Sequence, residues 1–213
     1  MIDLENLMKA LATQRSIYHS EADFQHAFAW EVNRRLPAAS VRLERPIRAN
    51  GKLLHLDFLV RSEETSMAVE LKYKTRKFRF DLEEEEYRLA NHSAADQGRY
   101  DFIKDICRLE EITSNLNGCE GWAIMLTNDS TYWKPPNTTK ATMDSAFRLH
   151  EGRMLGGSLE WTSNTSDGTK KNRSSALQIT GQYVLRWLDY SAPSTESYGQ
   201  FRFLAVHVPK CVA

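Results

Sequence analysis

One acid–base constellation stands out in the chain: Asp57, and thirteen residues later the triplet Glu70-Leu71-Lys72. Two alternating segments carry it, Leu54–Val60 and Met67–Tyr73, joined by the polar link Ser62-Glu63-Glu64-Thr65-Ser66, which reads as a hairpin connection. With the turn centred between Glu63 and Glu64, Asp57 and Glu70 are cross-strand partners. Alternation puts Leu54, Leu56, Phe58 and Val60 on one face with Val69, Leu71 and Tyr73. His55, Asp57, Leu59, Ala68, Glu70 and Lys72 share the other. Like charges facing each other destabilise a strand pair, so compensation is expected. Lys72 is one source of it and a divalent cation is the better one. Two carboxylates and a neighbouring carbonyl, here that of Leu71, make a hard all-oxygen site suited to Mg²⁺ or Mn²⁺. A lysine on the same face can orient a water or stabilise charge on a phosphate. That combination is what phosphodiester hydrolysis requires. The plain alternative is a solvated hairpin face on which Lys72 pairs with one of the acids.

Asp57, twelve intervening residues and Glu70-Leu71-Lys72 resemble the PD-(D/E)xK nuclease motif. The expected element order around them, helix, three strands, helix, strand, resembles the core of that superfamily over roughly residues 20–127. Leu56 stands where the motif has proline. The resemblance implies a restriction-endonuclease-like α/β fold with a mixed central sheet flanked by helices. It implies a Mg²⁺- or Mn²⁺-dependent DNA endonuclease in which Asp57, Glu70 and the Leu71 carbonyl hold the metal and Lys72 assists the attacking water. It also implies a further acid on the preceding helix. Glu21 is the candidate, one turn before Gln25, and Glu31 is the alternative. Restriction, defence and repair are the settings implied. The other readings are an RNA-directed nuclease and a non-catalytic nucleic-acid or protein-binding module. A double-strand cutter would need two such sites, which a homodimer provides.

After the motif, residues 72–79 hold five basic residues and two aromatics. Lys74, Arg76, Lys77 and Arg79 are candidates for phosphate contacts, with Gln25 and Arg99 beside them. A solvated strand end is the alternative for the basic run, and a surface salt bridge for Arg99. Trp133-Lys134 and Lys170-Lys171-Asn172-Arg173 are weaker candidates. The acidic run Glu83–Glu86 reads as solvated surface, or as a mask over the basic stretch. His55 reads as a supporting hydrogen-bond partner.

The elements that must position these residues are legible in part. Residues 1–19 form a first helix with Leu4, Leu7, Met8 and Leu11 on one stripe. Ser20 caps a second helix, Asp23 completes a capping-box pattern, and Pro37 ends it after Phe24, Ala27, Phe28, Val32 and Leu36. Val41–Arg45 opens the strands. Residues 75–96 read as a loop or short helix, and Gln97 to about Asn115 as an amphipathic helix. Trp122–Leu126 is a doubly buried strand. Residues 128–176 read as loops punctuated by Pro135-Pro136, Gly156-Gly157 and Ser166-Asp167-Gly168. Gln182–Tyr190 and Phe201–Val208 are late strands, so 128–213 reads as an extension of a single nuclease-like domain.

The chain has 213 residues, 41% of them hydrophobic and 26% charged, enough for a core without disulfides or structural metal. Cys107, Cys119 and Cys211 have no CxxC spacing, which fits a reducing cytoplasm, and Cys107 reads as a small core residue. No apolar run reaches membrane-spanning length, and the N-terminus has no signal-peptide pattern. Net charge is zero but segregated: +4 over residues 1–80, −7 over 81–120 and +3 over 121–213. That excludes a broad basic coat and leaves room for a local groove. Nucleotide fingerprints, a serine-hydrolase elbow and paired zinc-ligand spacings are absent.

Overall fold

The computed structural model describes residues 3–49, 51–63, 66–138 and 140–210. Met1, Ile2, Glu64, Thr65 and Cys211 lie outside them. The element order is α1 (Leu4–Gln14), α2 (Glu21–Arg35), β1 (Ser40–Ala49), β2 (Lys52–Arg61), β3 (Ser66–Lys74), β4 (Phe78–Leu82), β5 (Glu85–Leu89), α3 (Ala95–Asn115) and β6 (Cys119–Thr127). A one-turn 3-10 helix (Ser145–Phe147), β7 (Met154–Leu159), α4 (Asp167–Lys170), β8 (Leu177–Val184), β9 (Trp187–Ser191) and β10 (Phe201–Val208) follow. The central sheet has six strands in the order β1-β2-β3-β6-β10-β9. Only β3 and β6 are parallel, so the sheet is mixed. No helix among the described residues is long and apolar enough to cross a membrane.

Each face of the sheet has its own core. On one side α1 and α2 set Leu7, Met8, Phe24, Phe28 and Val32 against Phe58, Val69, Leu71, Ile124 and Phe203. On the other, α3 sets Phe102, Ile103, Ile106, Leu109 and Ile112 against Leu59, Ala68, Ala123, Met125 and Leu204. Ser20 caps α2, its hydroxyl accepting from Asp23 N–H. The Asp23 carboxylate accepts from His19 N–H and pairs with Arg15, so it braces the α1–α2 junction instead of closing the expected box on the cap residue. At Gly121, a Cβ would lie 3.1 Å from Leu109 and 3.2 Å from Val208, so a larger residue would push α3 and β10 back from β6 by a few tenths of an ångström.

Three expectations change. Residues 75–96 hold a hairpin, β4–β5, whose Phe78, Tyr87 and Leu89 pack on the α1–α2 core. Its two-residue turn puts Glu83 at φ 55, a conformation usually given to Gly or Asn, so the sequence carries no turn signal there. Gly156 and Gly157 sit inside β7, at a bulge where Gly157 has φ 73. Gln182–Tyr190 is two strands: β8 pairs with β7 over α3, and β9 pairs with β10 at the edge of the central sheet. The Glu110 carboxylate latches β8 to α3 by accepting from Thr180 and Gly181 N–H and the Tyr183 hydroxyl. Cys107 is half-buried against the α3 core and Cys119 fully buried.

Candidate active site at the β2–β3 divergence

The β2–β3 ladder has the expected register: Phe58 with Val69, Leu59 with Ala68, Val60 with Met67, Arg61 with Ser66. It stops at Phe58. At the same level one strand over, Glu44 of β1 adopts φ 47 and the pairing of β1 with β2 passes from Leu43–Phe58 to Arg45–Leu56 without a Glu44–Asp57 step. Alternation breaks at this distortion. Phe58 and Val60 face α2 as expected, whereas Leu54 and Leu56 join Leu59 on the α3 side.

Where β2 turns away, backbone donors of β3 lose their strand partner, and two carboxylates replace it. Asp57 Oδ2 accepts from Leu71 N–H at 2.7 Å. Glu21 Oε2, from the first turn of α2, accepts from Tyr73 N–H at 2.8 Å. On the α3 side lies Glu70, 2% exposed, which excludes the solvated-face alternative. Lys72 Nζ sits 3.0 Å from Asp105 Oδ2 and 3.2 Å from the Leu71 carbonyl oxygen. Arg108 of α3 meets Glu70 Oε1 at 2.9 Å, Asp105 Oδ1 at 3.1 Å and the His55 carbonyl. Asp57, Glu70, Lys72, the Leu71 carbonyl and Glu21 thus gather in one region.

The electrostatics follow from burial and from an excess of acid. Four carboxylates (Glu21, Asp57, Glu70, Asp105) face two cations (Lys72, Arg108), a formal charge of −2 when all are ionised. Burial, then the Asp105 carboxylate, push Glu70 up to about 9. Burial also raises Asp105. Asp105 has two cations within 3.1 Å and Glu70 has one, so Glu70 is the more readily protonated of the two. Burial favours a neutral Lys72, but Asp105, Asp57, Glu21 and Glu70 outweigh it and hold the ammonium above its ordinary range. Glu70 Oε1 and Asp105 Oδ2 are buried with ion-pair neighbours but no aligned hydrogen bond. The donor chemistry, all oxygen with surplus negative charge and an orphaned buried acceptor, fits a hard divalent cation. Among the described residues no three His, Cys, Asp or Glu side chains converge into a ready cage.

The other candidates divide. Glu31 is buried away from the cluster, held by Arg34, Arg35 and Gln14, with Arg34 the chief cause of a pKa lowered to about 2, whereas Glu21 lies beside Lys72. Gln25 is half-buried on α2, one turn beyond Glu21. Lys74 lines a cavity of about 230 Å³ beside Glu21, with His19, Thr75 and His92. Arg76 reaches Asp129 at 3.6 Å, Lys77 is exposed, and Arg79 pairs with Glu86 across the β4–β5 hairpin. The acidic run therefore does hold one of the basic candidates. Arg99 is no phosphate contact and no surface pair: it is 3% exposed and bonded to Asp144 and the Thr131 carbonyl, anchoring the segment after β6 to α3. His55 contributes its backbone carbonyl, while its side chain is exposed. Lys134, Lys170 and Lys171 lie outside the cluster, and Arg173 pairs with Asp101.

Sequence reasoning missed Asp105 and Arg108. A signal was present: Asp105 interrupts the apolar stripe Phe102, Ile106, Leu109 of α3, and a charge inside such a stripe demands a buried partner. Comparison with known protein families, with characterised proteins and with solved structures finds no match to this chain.

Proposed function

We propose that the chain is a divalent-metal-dependent DNA endonuclease with a restriction-endonuclease-like core. The observation that carries this reading is the divergence of β2 from β3, which gathers Asp57, Glu70, the Leu71 carbonyl and Glu21 around a protonated Lys72. With Glu70 ionised, the formal surplus of two negative charges equals the charge of one divalent cation. Asp57, Glu70 and the Leu71 carbonyl would hold Mg²⁺ or Mn²⁺, with Glu21 beside them, and the cation would supply Lewis-acid stabilisation of charge on the phosphate. Lys72 keeps its proton, so its part is to orient the attacking water and balance charge on the phosphate rather than to abstract a proton. Asp105 holds the Lys72 ammonium in place. Arg108 occupies the Glu70 carboxyl group while no cation is bound.

The test is relaxation of supercoiled plasmid with Mg²⁺, Mn²⁺ or EDTA. Metal-dependent nicking is expected for the wild type, with losses of about 10²-fold or more in Glu70→Ala and Lys72→Ala. No cleavage, together with no calorimetric Mn²⁺ binding, would overturn the proposal. One observation favours a second reading, a nucleic-acid-binding module without catalysis: Lys72–Asp105 and Arg108–Glu70 already close the cluster on itself. DNA binding that persists without metal binding would select it.

A further inference from the structure

A second feature lies beyond the carboxylate cluster, at the C-terminal ends of the parallel strands β3 and β6. A groove of about 610 Å³ with mixed polar and apolar walls opens there, lined by Asn128, Trp133, Lys134, Glu196, Tyr198 and Gln200 among others. It is tied directly to the basic segment that follows the motif. Asn128, 2% exposed, accepts from Arg76 N–H at 2.8 Å and donates to the Tyr198 carbonyl at 3.0 Å. One side chain thus joins the run leaving β3 to the loop that enters β10.

That loop is built to display a ring. Tyr198 has φ 67, a left-handed conformation unusual for an aromatic residue, and is 43% exposed. Gly199, next to it, packs so tightly that a Cβ would overlap the Ser194 carbonyl. The Arg76 guanidinium sits 5.7 Å from the centre of the Tyr198 ring, and its charge is shared with Asp129 at 3.6 Å. An exposed aromatic held in a strained backbone beside an arginine, with Lys134 on the same groove, has the parts of a base-stacking platform with a phosphate contact. Four residue steps lead from Lys72 to Arg76, at most about 13 Å at the rise of a strand. A strand of nucleic acid leaving the cluster along β3 would meet this groove after a short run of nucleotides.

We infer that the Tyr198 groove seats a short unpaired stretch of DNA, with a base against the Tyr198 ring and phosphates against Lys134 and Arg76. The identity of the polymer rests on the nuclease reading, whereas the groove stands on its own geometry. A base within a duplex has both faces covered by its neighbours, so the ring selects unpaired strands.

The test is fluorescence anisotropy of a labelled oligothymidylate and of a matched duplex, in EDTA so that nothing is cut. Tyr198→Ala is expected to weaken oligothymidylate binding by roughly 5-fold or more and to leave duplex binding unchanged. Tyr198→Phe is expected to bind as wild type. Lys134→Ala is expected to flatten the salt dependence by about 0.7 in log K per log salt. Melting temperatures equal to wild type show that the variants fold. Oligothymidylate binding by Tyr198→Ala equal to wild type, an equal loss on duplex, or no binding by the wild type would each overturn the inference. Plasmid cleavage separates the two readings. A Tyr198-dependent affinity without metal-dependent cleavage leaves the groove and removes the nuclease. Cleavage with an indifferent Tyr198→Ala does the reverse.

Discussion

Glu21 and Asp57 each have an observed contact and a proposed role, and the two can be pulled apart. Each carboxylate satisfies a β3 amide, and each is also a candidate for the metal. An amide side chain still offers an acceptor oxygen, so Asp57→Asn and Glu21→Gln keep the hydrogen bond and lose only the charge. Melting temperatures near wild type are expected for both, with cleavage and Mn²⁺ affinity strongly reduced for Asp57→Asn. Asp57→Ala leaves Leu71 N–H without a partner and should cost about 1–3 kcal/mol of stability as well. The Glu31 carboxylate serves as a control at the same scale. Its pKa is lowered by Arg34 and Arg35, so its contribution to stability is present above the ordinary glutamate value and is lost as pH falls towards about 2. Glu31→Gln should lower stability at pH 7, measured by urea unfolding, and leave metal-dependent cleavage per folded molecule unchanged.

At the scale of elements, the site is made by strand divergence. Glu44 is left-handed at the level where β2 leaves β3, and two acids fill the exposed edge. Amide hydrogen exchange reads this directly. Leu71 and Tyr73 amides should exchange slowly in the wild type, and the Tyr73 amide should speed up in Glu21→Ala while Val69, inside the ladder, stays protected. The divergence also marks how far the sequence could be read. Register, motif and the order α2, β1, β2, β3, α3, β6 were legible because period-two alternation and a capped, proline-stopped helix are local signals. The facing of Leu54 and Leu56 was not, since the kink lies level with Glu44, a residue with no turn signature. The β4–β5 hairpin was hidden for the same reason at Glu83. Asp105, Arg108 and the burial of Arg99 were obscured because their partners are distant in the chain: Lys72, Glu70 and Asp144.

At the scale of the whole molecule, the late strands share the sheet and the cores that carry the cluster. The segment after β6 reads as an extension, yet β10 lies beside β6 in the central sheet, and Phe201, Phe203, Leu204 and Val206 are divided between the two cores. The charged cluster between sheet and α3 therefore acts on global stability, with a sign that follows from Glu70. An acid raised from 4.5 to about 9 on folding binds its proton more tightly in the native state. Its contribution is fully present below the unfolded value and is lost as pH rises through that window, with a limiting slope of about 1.4 kcal/mol per pH unit. In EDTA, the melting temperature of the wild type should fall between pH 5 and pH 9 relative to that of Glu70→Gln, which has no proton to lose. A divalent cation reverses the order. It favours ionised Glu70, so at 100-fold excess over its Kd it should add about 2.7 kcal/mol to the wild type, increasingly so towards alkaline pH, and much less to Glu70→Gln. Parallel melting curves for the two proteins across pH, with and without Mn²⁺, would mean that Glu70 is neither the seat of the buried proton nor a metal ligand.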